Sequence, residues 1–283
     1  MIGRRSRVRS VVIHAVLITV TVVTLFPVAL VVRKSLSPGN DFRLSLNPIP
    51  EKATTQHYET VLEARDFSGR WLFGRQLWNS FVVALLTTIL GVFLASTAAY
   101  AFSRFRFPGR RFGMMIFLVV QMFPATLIMI PLYVILDKLG LLDSVAGLVL
   151  VYSTTAIPFC VFMLKGYFDT IPRDLEEAAW IDGASRFGMF WRVVLPLSKP
   201  ALAVTALFSF MTAWNEYILA ETFLNNEASY TLPVMLKHYV GDKSADWGAF
   251  AAGAILVSVP VMGLFYILQK ALVSGLTAGG VKG

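Results

Sequence analysis

Residues able to make or break bonds are sparse in this chain. His14, His57 and His238 lie far apart in sequence, and no H-E-x-x-H occurs. There is no G-x-S-x-G elbow to raise a serine nucleophile, and no G-x-x-x-x-G-K-[ST] loop to cradle phosphates. The single Cys160 sits inside an apolar run, so no disulfide framework forms within the chain. His14 reads as a residue near the end of an apolar segment, and His57 and His238 as solvated. An intramembrane enzyme or hydrolase is therefore poorly supported, and any ATP-driven work requires a second chain. What remains is Glu216, held between Trp214-Asn215 and Tyr217 in an apolar segment, and one polar stretch at residues 167–200, YFDTIPRDLEEAAWIDGASRFGMFWRVVLPLSKP. A carboxylate in such a segment is costly against lipid and must face protein or water, so Glu216 is a candidate ion or proton site.

The polar stretch carries its own helical pattern. Asp169 or Thr170 can cap a first helix, and Pro172 suits its opening turn. Asp174, Glu176 and Glu177 favour the positive end of the helix dipole. Ala178, Ala179 and Trp180 continue it, and Gly183 can take the left-handed conformation that ends it. A second amphipathic run covers 187–194, and Leu195-Pro196 stops it before the next apolar span. A solvated loop on a membrane surface is the alternative. Two short capped helices would pass on a rigid-body push that a floppy loop absorbs.

These residues are positioned by elements built for lipid. The 283 residues are 56% hydrophobic and 15% charged, and the mean hydropathy is +0.66. Soluble chains carry about 25% charged residues, so this composition marks an all-α integral membrane protein. Six spans follow: 11–32, 79–102, 112–136, 145–164, 201–220 and 249–273, each near the length that crosses about 30 Å of hydrocarbon. The first follows a cytoplasmic N-terminus at 1–10 and is too long for a signal peptide. Residues 33–77 form an extracytoplasmic loop, 78–273 the core transmembrane domain with the 167–200 loop inside it, and 274–283 a tail. Gly91, Ala95 and Ala99 recur at four-residue steps, a spacing that lets two helices approach closely, although chance in an alanine-rich span gives the same pattern. In the third span Gln121 lies beside Pro124, with Pro131 beyond; a bent helix with a polar residue at mid-depth makes Gln121, Met122, Phe123 and Pro124 candidates for a pathway or gate, with Asn215 and Glu216. A merely kinked packing helix is the alternative.

Charge sets the orientation. The segments 1–10, 103–111, 165–199 and 274–283 share one side and hold 14 Lys and Arg against 5 acidic residues. The other side holds 10 basic and 11 acidic residues. Both termini and the Glu177 loop are therefore expected in the cytoplasm, with Arg33 and Lys34 a local conflict. The net charge of +8 falls at span ends rather than along one face, which makes a nucleic-acid binder a poor reading.

The order Glu177-Ala178-Ala179, three residues, Gly183, nine residues, Val193, one residue, Leu195-Pro196 resembles the EAA loop of ABC importer permeases. Val193, where that family often has isoleucine, is a mild departure. AYAFSRFRFPG at 99–109, QMFPA at 121–125, KGYFDTI at 165–171, SYTLPV at 229–234, WGAFAA at 247–252 and LTAGGVKG at 276–283 are similar to sugar-importer permeases of the MalG type. Residues 36–75 match too little to carry anything over.

The resemblance implies a subunit that translocates maltose, maltooligosaccharides or a related sugar such as trehalose across the inner membrane. It implies a heterodimer with a MalF-like permease, two copies of a MalK-like ATPase and an extracytoplasmic sugar-binding protein, with ATP and magnesium in the ATPase and no cofactor or metal bound by this chain. In such proteins the EAA loop is a coupling helix docked on the ATPase, which assigns Glu177, Ala178, Ala179, Gly183, Leu195 and Pro196 to coupling. The tail reaches the ATPase dimer, which points to Gly279, Gly280, Val281, Lys282 and Gly283; a free glycine-rich end is the alternative. The loop before the sixth span enters the binding protein's sugar cleft as a scoop, a location matched by Asn225, Asn226, Glu227, Ser229 and Tyr230. The reading from another class is a self-contained secondary transporter or channel that uses Glu216.

Overall fold

The computed structural model describes residues 2–41, 46–241 and 245–280, with side chains for 9–41, 46–124, 126–241 and 245–269. Among them all regular structure is helical, apart from two isolated bridges, Arg65 with Trp71 and Val240 with Ala245. The helices are α1 (Ile2–Leu36), α2 (Gln56–Leu62), α3 (Leu72–Arg104), α4 (Arg110–Met122), α5 (Ala125–Lys138), α6 (Val145–Phe168), α7 (Asp174–Ile181) and α8 (Arg186–Met189). A π turn at Phe190–Val194 follows, then α9 (Leu195–Leu197), α10 (Lys199–Asn215), α11 (Ile218–Phe223), α12 (Leu232–His238) and α13 (Trp247–Gly280).

Four helical stretches are long and apolar enough to cross a membrane: Arg9–Leu36, Leu72–Arg104, Val145–Phe168 and Trp247–Gln269. Two bent pairs, α4 with α5 and Arg186–Leu197 with α10, pass the same test as pairs, so four to six crossings are possible.

The expected third and fifth spans are each broken. Phe123 and Pro124 are extended, with ψ of 130° at both, because a proline pushes the residue before it out of the helical region. Glu216 is likewise extended, with ψ of 129°. Its carboxylate accepts from the backbone N–H groups of Leu219 at 2.9 Å and Ala220 at 3.1 Å, which starts a new helix, α11.

The chain divides into two compact units. The first comprises Met1–Phe73 and Met235–Val259. In it α1 leaves its most apolar window wholly unburied, while its C-terminal end is tied to α2 by a Ser35–Tyr58 hydroxyl contact of 2.9 Å. His57, expected in solvent, is buried at 3% exposure. Its ring packs on Gly248, where a Cβ would come within 2.1 Å, and its Nε2 lies 2.9 Å from the Ser37 carbonyl. A polar residue in a loop reads as solvated unless the distant glycine that covers it is known.

The second unit comprises Gly74–Val234 and Pro260–Gly283. In it α6 packs on α10 and on α4, and the buried cluster joins residues of α3 to α6. The small-residue face of α3 lies at this contact: Ala95 and Ala99 are fully buried, and a Cβ on Gly91 would stand 3.6 Å from Ser209 Oγ on α10 and 3.9 Å from Ala156 on α6. Toward one end the cluster continues through Tyr100, Cys160, Leu164 and Phe168 to Phe190 and Val194 of the π turn. The polar stretch is thereby seated on the ends of the core helices.

Candidate functional site

The two helices of the polar stretch form, and their junction is a Schellman cap. Gly183 has φ of +83°. Its N–H donates to Trp180 O at 2.9 Å, and the N–H of Ala184 donates to Ala179 O at 2.9 Å. Ser185 caps α8 by accepting from Gly188 N at 3.1 Å.

Two local expectations differ. Neither Asp169 nor Thr170 caps α7: the Thr170 hydroxyl donates back to Tyr167 O at 2.7 Å, and Arg173 holds the cap position without a side-chain bond. Pro172 thus lies ahead of the helix, whose first turn relies on Asp174, Glu176 and Glu177. Leu195-Pro196 does not stop the second run either. The run widens into the π turn just ahead of Pro196, which has no N–H to donate, and continues to Leu197. The bend of 79° falls afterwards, at buried Ser198.

The coupling candidates fall in two places. Glu177 and Ala178 are exposed, and Ala179 is half-buried beside the cap at Gly183. Leu195 packs against the core cluster, and α7, α8 and α9 all touch the π turn. Ile181 is 85% and Phe187 71% exposed, so both helices of the pair leave a large apolar side chain uncovered.

The residue that fixes this pair of helices is Glu176, which the sequence pattern does not single out. Its Oε1 accepts from Arg104 Nε at 2.5 Å and its Oε2 from the Tyr100 hydroxyl at 3.0 Å. A second Arg104 nitrogen donates to Ile171 O at 3.1 Å. Beside it Ser103 Oγ donates to Asp169 at 2.6 Å, and Lys165 pairs with the same carboxylate. Burial opposes the charge on Asp169, but the bonds from Lys165 and Ser103, with Arg104 nearby, outweigh it and hold its pKa below the ordinary value. Arg186 lies over Phe105 at 5.1 Å and over Trp180 at 5.7 Å, which ties α8 to both neighbours. This set forms a polar clamp between the C-terminal ends of α3 and α6 and the helices of the EAA stretch.

A second cluster gathers about the loop after α11. Asn225, Asn226 and Glu227 are exposed, while Ser229 and Tyr230 are half-buried. The loop is held through its backbone. Gln76 donates to Glu227 O at 3.0 Å, and Asn79 donates to Ala228 O at 2.9 Å and Tyr230 O at 3.1 Å. Ser80 Oγ accepts from Leu232 N at 2.7 Å. Asp143, the one non-glycine residue with positive φ (54°) among the described residues, accepts from Asn225 N at 3.1 Å and Asn226 N at 3.3 Å. Gln76, Asn79, Ser80 and Asp143 are functional candidates that sequence spacing misses, because they lie 80 or more positions from what they hold.

Gln121, Met122, Phe123 and Pro124 occupy the break between α4 and α5, and all four are exposed, Met122 at 82%. Asn215 donates to Met211 O at 2.8 Å in its own helix. Glu216 caps α11, so its place in the fold has a structural account without a bound ion. Of the tail, Gly279 and Gly280 end α13, and Val281, Lys282 and Gly283 lie outside the described residues.

Comparison with known proteins agrees with this arrangement. The family model described as "Binding-protein-dependent transport system inner membrane component" matches residues 78–277. The chain is 39% identical to the galactooligosaccharides transport system permease protein GanQ of Bacillus subtilis (strain 168) over 282 residues, 99% of this chain and 98% of GanQ. It is 38% identical to the maltose/maltodextrin transport system permease protein MalG of Salmonella typhimurium over 296 residues, 99% of this chain and 98% of MalG. A solved bacterial ABC transporter involved in the import of the acidic polysaccharide alginate aligns with a TM-score of 0.77 and 26% identity, over 95% of this chain and 98% of the other. The clamped EAA helices and these matches lead to one assignment: the chain belongs to the family of binding-protein-dependent transport system inner membrane components, as an ABC importer permease of the inner membrane.

Proposed function

We propose that this permease carries maltose, maltooligosaccharides or a closely related sugar, and that a separate ATPase drives it. The reading has six crossings, each bent pair counting as one, with both termini and the 167–200 loop in the cytoplasm. The partners are a MalF-like permease, two copies of a MalK-like ATPase that hold ATP and magnesium, and an extracytoplasmic sugar-binding protein. This chain itself binds no cofactor. Glu177, Ala178, Ala179, Gly183, Leu195 and Pro196 transmit the ATPase motion, with 279–283 as a second contact. Gln121 to Pro124, with Asn215 and Glu216, border the pathway, and the loop with Asn225, Asn226, Glu227, Ser229 and Tyr230 meets the binding protein.

The observation that carries the reading is the Arg104–Glu176 clamp beneath an exposed apolar face. A buried ion pair fixes α7 to α3, while Ile181 and Phe187 stay uncovered. Such a patch on a rigid mount is the form a docking surface takes. Similar identity to GanQ and MalG leaves galactooligosaccharides as a second cargo.

The test is reconstitution of the complete transporter in vesicles, with uptake of labelled maltose, maltotriose, trehalose and galactooligosaccharide measured with and without ATP. Uptake of a maltose-type sugar only with ATP and the ATPase is expected. Uptake by this chain alone would overturn the ATPase-driven reading, and exclusive uptake of galactooligosaccharide would overturn the cargo.

A further inference from the structure

Arg104 is consumed by the clamp, but the two arginines that open α4 are not. The side chains of Arg110 and Arg111 make no hydrogen bond or ion pair among the described residues. Both line an open cavity of about 930 Å³ between the first turn of α4 and the last turn of α6. Lys165 of α6, whose ammonium is paired with Asp169, also lines it, and Phe107, Phe112 and Phe162 form apolar walls. No carboxylate lines the cavity. Gly109, at φ of +82°, offers the helix no side-chain cap, so the positive end of a 13-residue helix faces the same space.

We propose that this cavity binds the phosphate headgroup of an anionic phospholipid of the cytoplasmic leaflet, with the phenylalanines against its glycerol and upper acyl carbons. Two unpaired arginines without a lining acid select negative charge, and aromatic walls beside them select an amphiphile over a free ion. A basic pocket between membrane helices at their cytoplasmic ends is the setting for such lipids. Arginine suits phosphate through paired N–H donors. The leaflet rests on the orientation given under Proposed function; the charge preference does not.

The test is native mass spectrometry of the full chain in detergent, titrated with phosphatidylglycerol, phosphatidylcholine or inorganic phosphate. Phosphatidylglycerol should bind at least about tenfold tighter than phosphatidylcholine, and each removed charge in Arg110→Gln and Arg111→Gln should weaken it about fivefold. Arg106→Gln, in the same loop but outside the cavity, should bind as the wild type does. Equal affinity for the two lipids, or no loss in the double variant, would overturn the site. Displacement by millimolar inorganic phosphate would overturn the lipid in favour of a soluble anion. Labelling of Arg106→Cys by an impermeant maleimide from the cytoplasmic face supports the leaflet, and labelling from outside overturns it without touching the lipid measurement.

Discussion

Arg104 on α3 donates to Glu176 on α7 across 2.5 Å, with the two side chains only 7% and 11% exposed. The residues are 72 positions apart, and between them run α4, α5 and α6. Breaking such a pair from one side strands a buried charge, at a cost of about 3–5 kcal/mol, whereas removing both partners together costs far less. Arg104→Met and Glu176→Met should therefore each lower the melting temperature in detergent and release the ATPase. The double variant should recover much of the melting temperature without recovering transport. Single and double variants that melt alike would show that the pair is not coupled.

At Gly183 the demand is conformational rather than steric. A Cβ there would meet nothing within 4 Å, but φ is +83°. A left-handed residue with a side chain costs about 1–2 kcal/mol, less for asparagine and more for a β-branched residue. Transport should fall in the order glycine, asparagine, alanine, valine, with the chain still inserted in the membrane. Full ATPase retention and uptake in Gly183→Val would remove the junction from the coupling path.

Asp169 supplies the pH dependence of the clamp. Its pKa in the fold lies below the ordinary carboxylate value, because the bonds from Lys165 and Ser103 outweigh the cost of its burial. The stabilisation is thus present above the unfolded pKa and lost as pH falls through the folded one. Asp169→Asn should melt lower than the wild type near pH 7, and the two curves should converge only once pH has fallen below the ordinary carboxylate range and through the lowered folded-state pKa. A gap unchanged across that range would assign the effect to shape rather than charge.

The loop after α11 should loosen without losing its own side chains. Asn79→Ala removes the two donors that hold Ala228 and Tyr230 carbonyls. Amide hydrogen exchange across 225–231 is expected to rise about thirtyfold, since two bonds to partly buried carbonyls are lost and each is worth about 1 kcal/mol. Stimulation of ATPase activity by the binding protein should fall, with the basal rate unchanged. Exchange that stays at the wild-type rate would mean that Gln76, Ser80 and Asp143 suffice.

Much of this was readable from residue order, and what was not has identifiable causes. Gly183 announces itself because only a few residue types end a helix in the left-handed region. The stripe Gly91, Ala95, Ala99 is visible because close packing in lipid needs small side chains at a fixed step. Glu176 escapes, because in an eight-residue helix with neighbouring glutamates the period cannot say which one turns inward. Its partner is a distant arginine at the end of α3, in a stretch whose sequence reads simply as positive charge on one side of the membrane. His57 fails for the same reason: the glycine that makes room for it lies in another helix. The breaks at Phe123-Pro124 and Glu216 were marked by proline and carboxylate, but hydropathy averaged across them.

The π turn at Phe190–Val194 sets how the clamped helices are aimed. Successive helical residues step by about 100° around the axis. Deleting a single residue between Met189 and Leu195 would return the backbone to α register and swing α8 and α7 by that step relative to α10. Glu176 would leave Arg104, and Ile181 and Phe187 would point elsewhere. The heading of these helices is thus stored in residue count, so point substitutions at the exposed Trp191 and Arg192 should be forgiven where a one-codon deletion is not, while Phe190 and Val194 are held by the core.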